Sequence, residues 1–286
     1  MSHVRNLLHS PSRQTLQLPY PAQPAQSAAV PGPQPVPIAI PVRDERPAEF
    51  PVEQAQIRPE SRIVYYTAPR SPAADRFRFL RMRLRDFATA GKLKKLLVTS
   101  PIGGDGKSTA ILNLATALAE RGKRKVLVIE ADLHRGSISE TLKLRPWRGL
   151  NECLAADVES PFLAVRHLEP LDWFLLPAGE PRGNPTEMLQ TAAFGNIVEK
   201  LAASFDWILI DSPPVVSLTD AISLARHADG ALLVVRAGHT PREAIEQAVA
   251  LLGPKKICGV LLNGADDHRT RYDQGYYDGV RRMPND

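Results

Sequence analysis

From Leu96 to Leu262 the chain alternates short unbroken apolar runs with stretches whose apolar residues recur every three or four positions. Runs of Val, Ile and Leu without polar alternation predict strands buried on both faces, and the wider spacing predicts amphipathic helices. Strands are expected at Leu96–Val98, Val126–Ile129, Trp173–Leu176, Trp207–Ile210, Ala231–Val235 and Ile257–Leu262. A helix opening at Lys107 and stopping at Gly122 places Ile111, Leu114, Ala115 and Leu118 on one face. Further helices are expected from Thr186, as its cap, through Gln190 and beyond, near Asp220–Arg226, and near Pro241–Leu252. An earlier helix, Pro72–Phe87, puts Phe77, Leu80, Leu84 and Phe87 on one side and crowds five arginines over much of the rest. Residues 140–170 read as irregular helix and loop, and no internal repeat is visible. Strands of this kind alternating with helices specify an α/β fold, a mostly parallel sheet with helices on both faces.

Composition changes this picture mainly at the ends. Residues 1–60 hold 12 of the 26 prolines, with Ala, Gln and Ser between them. Such a segment buries too little apolar surface to offset its ordering entropy, so residues 1–62 are expected to be a disordered Pro-rich arm. The run Pro31–Val42 reads either as an extended linker or as a polyproline-type ligand. The ordered domain is expected over 63–264, followed by a flexible polar tail over 265–286. Three of the six tyrosines, Tyr272, Tyr276 and Tyr277, fall within six residues of that tail, with no apolar periodicity around them. The net charge of +5 suits anionic partners but is too mild to select one. Cys153 and Cys258 lie far apart in apolar surroundings, which suggests buried thiols in a reducing compartment. No apolar run approaches the roughly 20 residues of a membrane span and no signal peptide is visible, so a cytoplasmic protein is expected.

Chemistry concentrates in SPIGGDGKST, between the first strand and its helix. Gly103, Gly104 and Gly106 allow backbone amides around Asp105 to turn inward on phosphate oxygens, and the helix N-terminus adds partial positive charge. Lys107 is placed for β- and γ-phosphates, Ser108 for Mg²⁺, and Thr109 for a phosphate oxygen. Pro101 stands where the strict phosphate-loop pattern has its first glycine. Two strands then end in carboxylates: VLVIEAD in Glu130 and Asp132, WILID in Asp211. In a parallel sheet those ends converge on the ligand crevice, and an acidic residue closing a hydrophobic strand downstream of a phosphate loop suits magnesium. The fold expected is therefore P-loop NTPase-like, with ATP and Mg²⁺ as cofactors.

Taken together, SPIGGDGKST, VLVIEADLHR, ILIDSPP, PAGEPRGNPTEML, TPREAIEQA, GVLLNGAD and the tyrosine cluster resemble the bacterial tyrosine kinases of capsule and exopolysaccharide synthesis, from about Ser71 to Tyr277. The resemblance implies phosphoryl transfer from Mg-ATP to tyrosine, with Tyr272, Tyr276 and Tyr277 as acceptors in a neighbouring subunit's tail. It implies a ring-shaped homo-oligomer, with Asp75, Arg78 and Arg81 at the position of the ring helix's Glu-x-x-Arg-x-x-Arg. It implies a membrane-spanning polysaccharide co-polymerase as activator, which would recruit the chain to the inner face of the membrane, and it implies no nucleic acid. In these terms Ser108, Asp132 and Asp211 hold the metal, Asn263 touches the adenine, and Glu130 or Asp132 takes the tyrosine proton. Three departures stand out: Glu130 where the family has aspartate, His134 where it has arginine, and Asp75 where the ring helix has glutamate. Partition and septum-positioning ATPases are the nearest alternative; their signature lysine would fall at Ile102, and they lack a tyrosine tail. A nucleotide-binding scaffold with weakened catalysis is the other.

Overall fold

The computed structural model describes residues 49–265. Its frame is one eight-stranded sheet: β1 (Val52–Gln54), β2 (Lys95–Thr99), β3 (Val126–Glu130), β4 (Arg166–Glu169), β5 (Trp173–Leu176), β6 (Trp207–Asp211), β7 (Gly230–Arg236) and β8 (Ile257–Asn263). Their order across the sheet is β1-β4-β5-β3-β6-β2-β7-β8. Every neighbouring pair is parallel except the β4–β5 hairpin. The helices are α1 (Val64–Thr67), α2 (Pro72–Thr89), α3 (Lys107–Ala119), α4 (Ser137–Thr141), α5 (Leu150–Leu154), α6 (Pro185–Gln190), α7 (Ala192–Ala202), α8 (Asp220–Ala225) and α9 (Arg242–Leu252).

Because successive strand residues point to opposite faces, each central strand feeds two cores. Leu96 and Val98 pack with Ile111, Leu118 and Trp173 under α3, whereas Leu97 packs with Ile208, Ile210 and Phe194 under α7. Burial on both faces explains why these strands read as unbroken apolar runs, and β3 and β6 are buried along their whole length. The same parallel arrangement sets the C-terminal ends of β2, β3, β6, β7 and β8 along one edge, where the ligand crevice of an open α/β sheet lies.

Four expectations need correction. Order begins before Ile63, because Val52–Gln54 already forms a strand paired with His167–Glu169. That partner strand, β4, lies within a region expected to be irregular; its Arg166 is buried and ion-paired with Glu53 of β1 at 2.9 Å. Thr186 does not cap a helix. α6 starts after Asn184 with Pro185 in its first turn, and Thr191 then breaks the helix and caps α7 by accepting a hydrogen bond from Ala193 N at 3.3 Å. Finally, α2 runs on to Thr89 and buries Ala74 and Leu84, while Phe87 is exposed. Residues 1–48 and the tail tyrosines Tyr272, Tyr276 and Tyr277 lie outside the described residues.

The two-sided core makes a graded prediction. Leu209→Ala, in the middle of the fully buried β6, should cost about 2–5 kcal/mol. Val260→Ala, on the exposed side of the edge strand β8, should cost less than about 1 kcal/mol. Urea denaturation checks this through the midpoint, with the m-value unchanged.

Candidate active site

The turn between β2 and α3 is held by side chains from within the loop and from β7, β8 and the segment before α9. Asp105 is buried, and its carboxylate accepts from Ile102 N at 3.3 Å and from Thr240 Oγ1 at 2.7 Å. Asn263, the last residue of β8, donates from Nδ2 to the Asp105 carbonyl at 2.9 Å, and Arg236 Nη1 donates to the Gly104 carbonyl at 3.3 Å. Asp105 therefore braces the loop from inside instead of facing a phosphate. Asn263 stands against the loop at the C-terminal end of β8. Gly104 and Gly106 take positive φ values of 87° and 91°, and a Cβ on Gly106 would overlap the Asn263 amide. Backbone conformation favours glycine at both positions, and at Gly106 the Asn263 amide adds a steric ground.

Gly106 precedes the first turn of α3, so Lys107, Ser108 and Thr109 stand at the helix N-terminus and its free amides. Ser108 Oγ lies 2.6 Å from Ser137 Oγ at the start of α4. Across from them, Glu130 and Asp211 are register partners on β3 and β6, and Ala131 N donates to the Asp211 carbonyl at 2.9 Å. The three carboxylates meet different environments. Asp211 is buried, and neither of its oxygens has a hydrogen-bond partner among the described residues. Burial holds its carboxyl well above the usual range; Lys107 works against that shift, and Glu130 and Asp132 add to it. Asp132 is likewise raised by burial, opposed by Lys107, by His134 and by backbone amides, and its Oδ1 is unpaired.

Glu130 is different. Its Oε1 accepts from Ile138 N at 2.7 Å and Ser139 N at 3.1 Å, and its Oε2 accepts from Ser139 Oγ at 2.5 Å and Ala178 N at 3.2 Å. Both oxygens are saturated, and the side chain ties β3 to α4 and to the turn after β5. His134 Nε2 lies 2.9 Å from Asp220 Oδ2, and that aspartate is buried at the start of α8.

Of the residues expected from the sequence, the loop, Lys107, Ser108, Thr109, Asp132, Asp211 and Asn263 come together. Asp75, Arg78 and Arg81 lie apart, on α2. There Arg78 pairs with Asp75 at 2.5 Å and donates to the Pro69 carbonyl, while Arg81 donates to the Ala117 carbonyl at 3.3 Å. Ser137, Ser139, Arg236, Thr240 and Asp220 were missed. Thr240 and Asp220 lie in helix-start positions, whose local signal is a cap and carries no hint of a loop brace.

Unpaired buried carboxylate oxygens facing a lysine are what a magnesium–phosphate group would need. Among the described residues no group of three or more His, Cys, Asp or Glu forms a metal site by itself, so phosphate oxygens and water would complete the coordination.

Comparison with known proteins agrees with this chemistry. Residues 96–278 match the family described as CobQ/CobB/MinD/ParA nucleotide binding domain. The tyrosine-protein kinase CpsD of Streptococcus agalactiae is 34% identical over 193 residues, covering 66% of this chain and 83% of that protein. The succinoglycan biosynthesis transport protein ExoP of Rhizobium meliloti is 29% identical over 239 residues, covering 77% of this chain but only 30% of that protein. Among solved structures, the kinase domain of the Escherichia coli tyrosine kinase ETK superposes with a TM-score of 0.68 at 25% identity, covering 73% of this chain and 82% of that one.

The buried aspartate yields a prediction whose sign can be worked out. A carboxyl whose proton affinity is higher folded than unfolded favours the folded state when protonated, and that stability is lost as pH rises through the folded pKa. Without ligand, the protein should therefore lose stability as pH rises through the raised pKa of Asp211. Above that transition Asp211→Asn removes the unpaired charge, so there it should raise the Tm of the ligand-free protein by about 3 °C, and it should abolish the stabilisation that Mg-ATP confers. Scanning calorimetry with and without Mg-ATP reads both.

Proposed function

The chain belongs to the CobQ/CobB/MinD/ParA nucleotide-binding family and, within it, to the bacterial tyrosine kinases, and from that premise we propose that it transfers the γ-phosphoryl group of Mg-ATP to protein tyrosine in the service of exopolysaccharide synthesis and export. The observation that carries this reading is the meeting of a lysine-bearing phosphate loop with two aspartates whose buried oxygens have no partner.

Phosphoryl transfer asks little covalent work of a protein and much positioning and charge neutralisation. The loop amides and the α3 N-terminus would hold the phosphates, with Lys107 on the β- and γ-oxygens and Thr109 beside them. Ser108 and Asp211, with Asp132 next to them, would hold Mg²⁺, which supplies neutralisation of charge on the transferring group. Ser108 would exchange its hydroxyl partner Ser137 for that role. The saturated carboxylate of Glu130 supports Asp132 as acceptor of the tyrosine proton, since Asp132 has a free oxygen and a proton affinity raised by burial. Glu130 then acts as a positioning residue that fixes α4 against β3. Asn263 would reach the adenine from the rim.

The acceptors in this reading are Tyr272, Tyr276 and Tyr277 on the tail of another copy, within a ring in which α2, with Asp75, Arg78 and Arg81, contributes contacts. Among the described residues no helix is long and apolar enough to cross a membrane. In this reading a membrane-spanning polysaccharide co-polymerase supplies the activating signal and recruits the chain to the inner face of the membrane.

Purified protein incubated with γ-labelled Mg-ATP and the cytoplasmic peptide of the partner should accumulate phosphotyrosine. The label should vanish when all three tail tyrosines are Phe, and should fall at least about 10³-fold in Lys107→Met. Asp132→Asn should cost about 10²–10⁴-fold in rate with nucleotide affinity retained. Glu130→Gln, which sets an amide donor against backbone donors, should cost about 1–3 kcal/mol of stability. ATP turnover without phosphotyrosine would replace the kinase with a switch ATPase.

A further inference from the structure

The opposite edge of the sheet carries a charge pattern that the phosphoryl-transfer site does not use. Loops leading into β2, β3, β6, β7 and β8 emerge side by side at the N-terminal ends of these strands, one strand length from the phosphate loop. Six exposed cations stand there: Lys92 and Lys94 before β2, Arg121, Lys123 and Lys125 before β3, and Lys255 before β8. None of the six has an ion pair among the described residues.

Three acidic residues of this edge are already occupied, and a fourth, Asp172 before β5, lies against Gly122 between Arg121 and Lys123. Asp229 accepts from the backbone amides of Lys94 and Lys95 at 2.8 and 2.7 Å, and its other oxygen lies 3.8 Å from Lys95 Nζ. Asp206 accepts from Lys125 N at 2.8 Å and lies 3.8 Å from the Arg124 guanidinium. Glu120 pairs with Arg85 at 3.0 Å. Asp229, Asp206 and Glu120 thus brace loops and other cations; Lys92, Lys94, Lys125 and Lys255 are left to the solvent, while Arg121 and Lys123 share a groove with Asp172. In a chain whose formal net charge is only +5, this edge is a concentrated positive face.

We propose that this edge is a docking face for anionic phospholipid headgroups, which seats the domain directly on a membrane surface with the phosphate-loop edge turned away from it. The distribution favours lipid over nucleic acid. Five of the six cations are lysines, which act as point charges and lack the guanidinium fork that reads phosphates and bases bidentately. The loops before β6 and β7 offer no aromatic ring on which a base could stack, since Phe205 is buried and His227 packs against Phe194. The exposed rings near the cations, Tyr66 and Phe87, stand on α1 and α2. A row of loops along a sheet edge presents charge across a plane, as a juxtamembrane basic cluster does. The inference goes beyond the kinase reading and does not depend on it.

The test is co-sedimentation of the full-length protein with vesicles of phosphatidylcholine containing about 30 mol% phosphatidylglycerol, beside pure phosphatidylcholine. Binding to the anionic vesicles should be strong at about 0.05 M salt and largely lost at about 0.5 M, where the Debye length shrinks to a few ångströms. Lys92→Glu with Lys123→Glu should lower the partition coefficient at least about 25-fold. Arg148→Glu with Arg242→Glu makes the same change in net charge elsewhere and should lower it far less. The milder Lys92→Gln with Lys123→Gln guards against misfolding, and lipid-free phosphotyrosine formation by each variant shows an intact domain and tests the kinase reading separately. Equal binding to neutral vesicles, equal losses in the two reversed pairs, no binding at low salt, or tighter binding to duplex DNA at equal charge would each overturn the proposal.

Discussion

A carboxylate with both oxygens unpaired, at the end of a strand buried on both faces, is the constraint around which the site is arranged. Asp211 follows Ile208, Leu209 and Ile210 into the interior, where an ionised group is tolerable only if another charge answers it. Lys107 is the answering charge that the chain supplies, and it arrives only because the loop before α3 is wound tightly enough to set it opposite β6. One lysine answers both Asp211 and Asp132, with Glu130 close by. The remaining negative charge is met by the hydrogen bonds that saturate Glu130, and otherwise by whatever cation enters with a ligand. The site is thus locally frustrated within an otherwise consistent core, the usual mark of a functional position.

That logic also separates what could be seen in the sequence from what could not. The strand–loop–helix around Lys107 and the strand ending in Asp211 are local patterns, and the residues that carry them sit where expected. The fates of Asp105 and Glu130 are not local. Asp105 turns inward because Thr240, 135 residues on, offers a hydroxyl; Glu130 is saturated because Ser139 and Ala178 converge on it. No spacing rule relates those positions. β1 and β4 escaped notice for another reason: three and four residues long, they are too short for periodicity to register. They are polar as well, and a buried Glu53–Arg166 pair does the work that apolar side chains do elsewhere.

A parallel sheet also sorts charge between its two edges. Helix N-termini gather at the C-terminal ends of the strands, where a phosphate is welcome, and helix C-termini gather at the other end, where cations complement exposed carbonyls. Lys92, Arg121 and Lys255 follow the ends of α2, α3 and α9. The same polarity that prepares one edge for a triphosphate therefore prepares the other for a positive face, with no dedicated motif on either helix or strand.

The amide of Asn263 pins the end of β8 to the phosphate loop. β8 lies at the margin of the sheet, paired on one side only, with β7. A strand with a single neighbour is thus fastened to the turn that carries Lys107, and any fraying of that margin would loosen the loop as well.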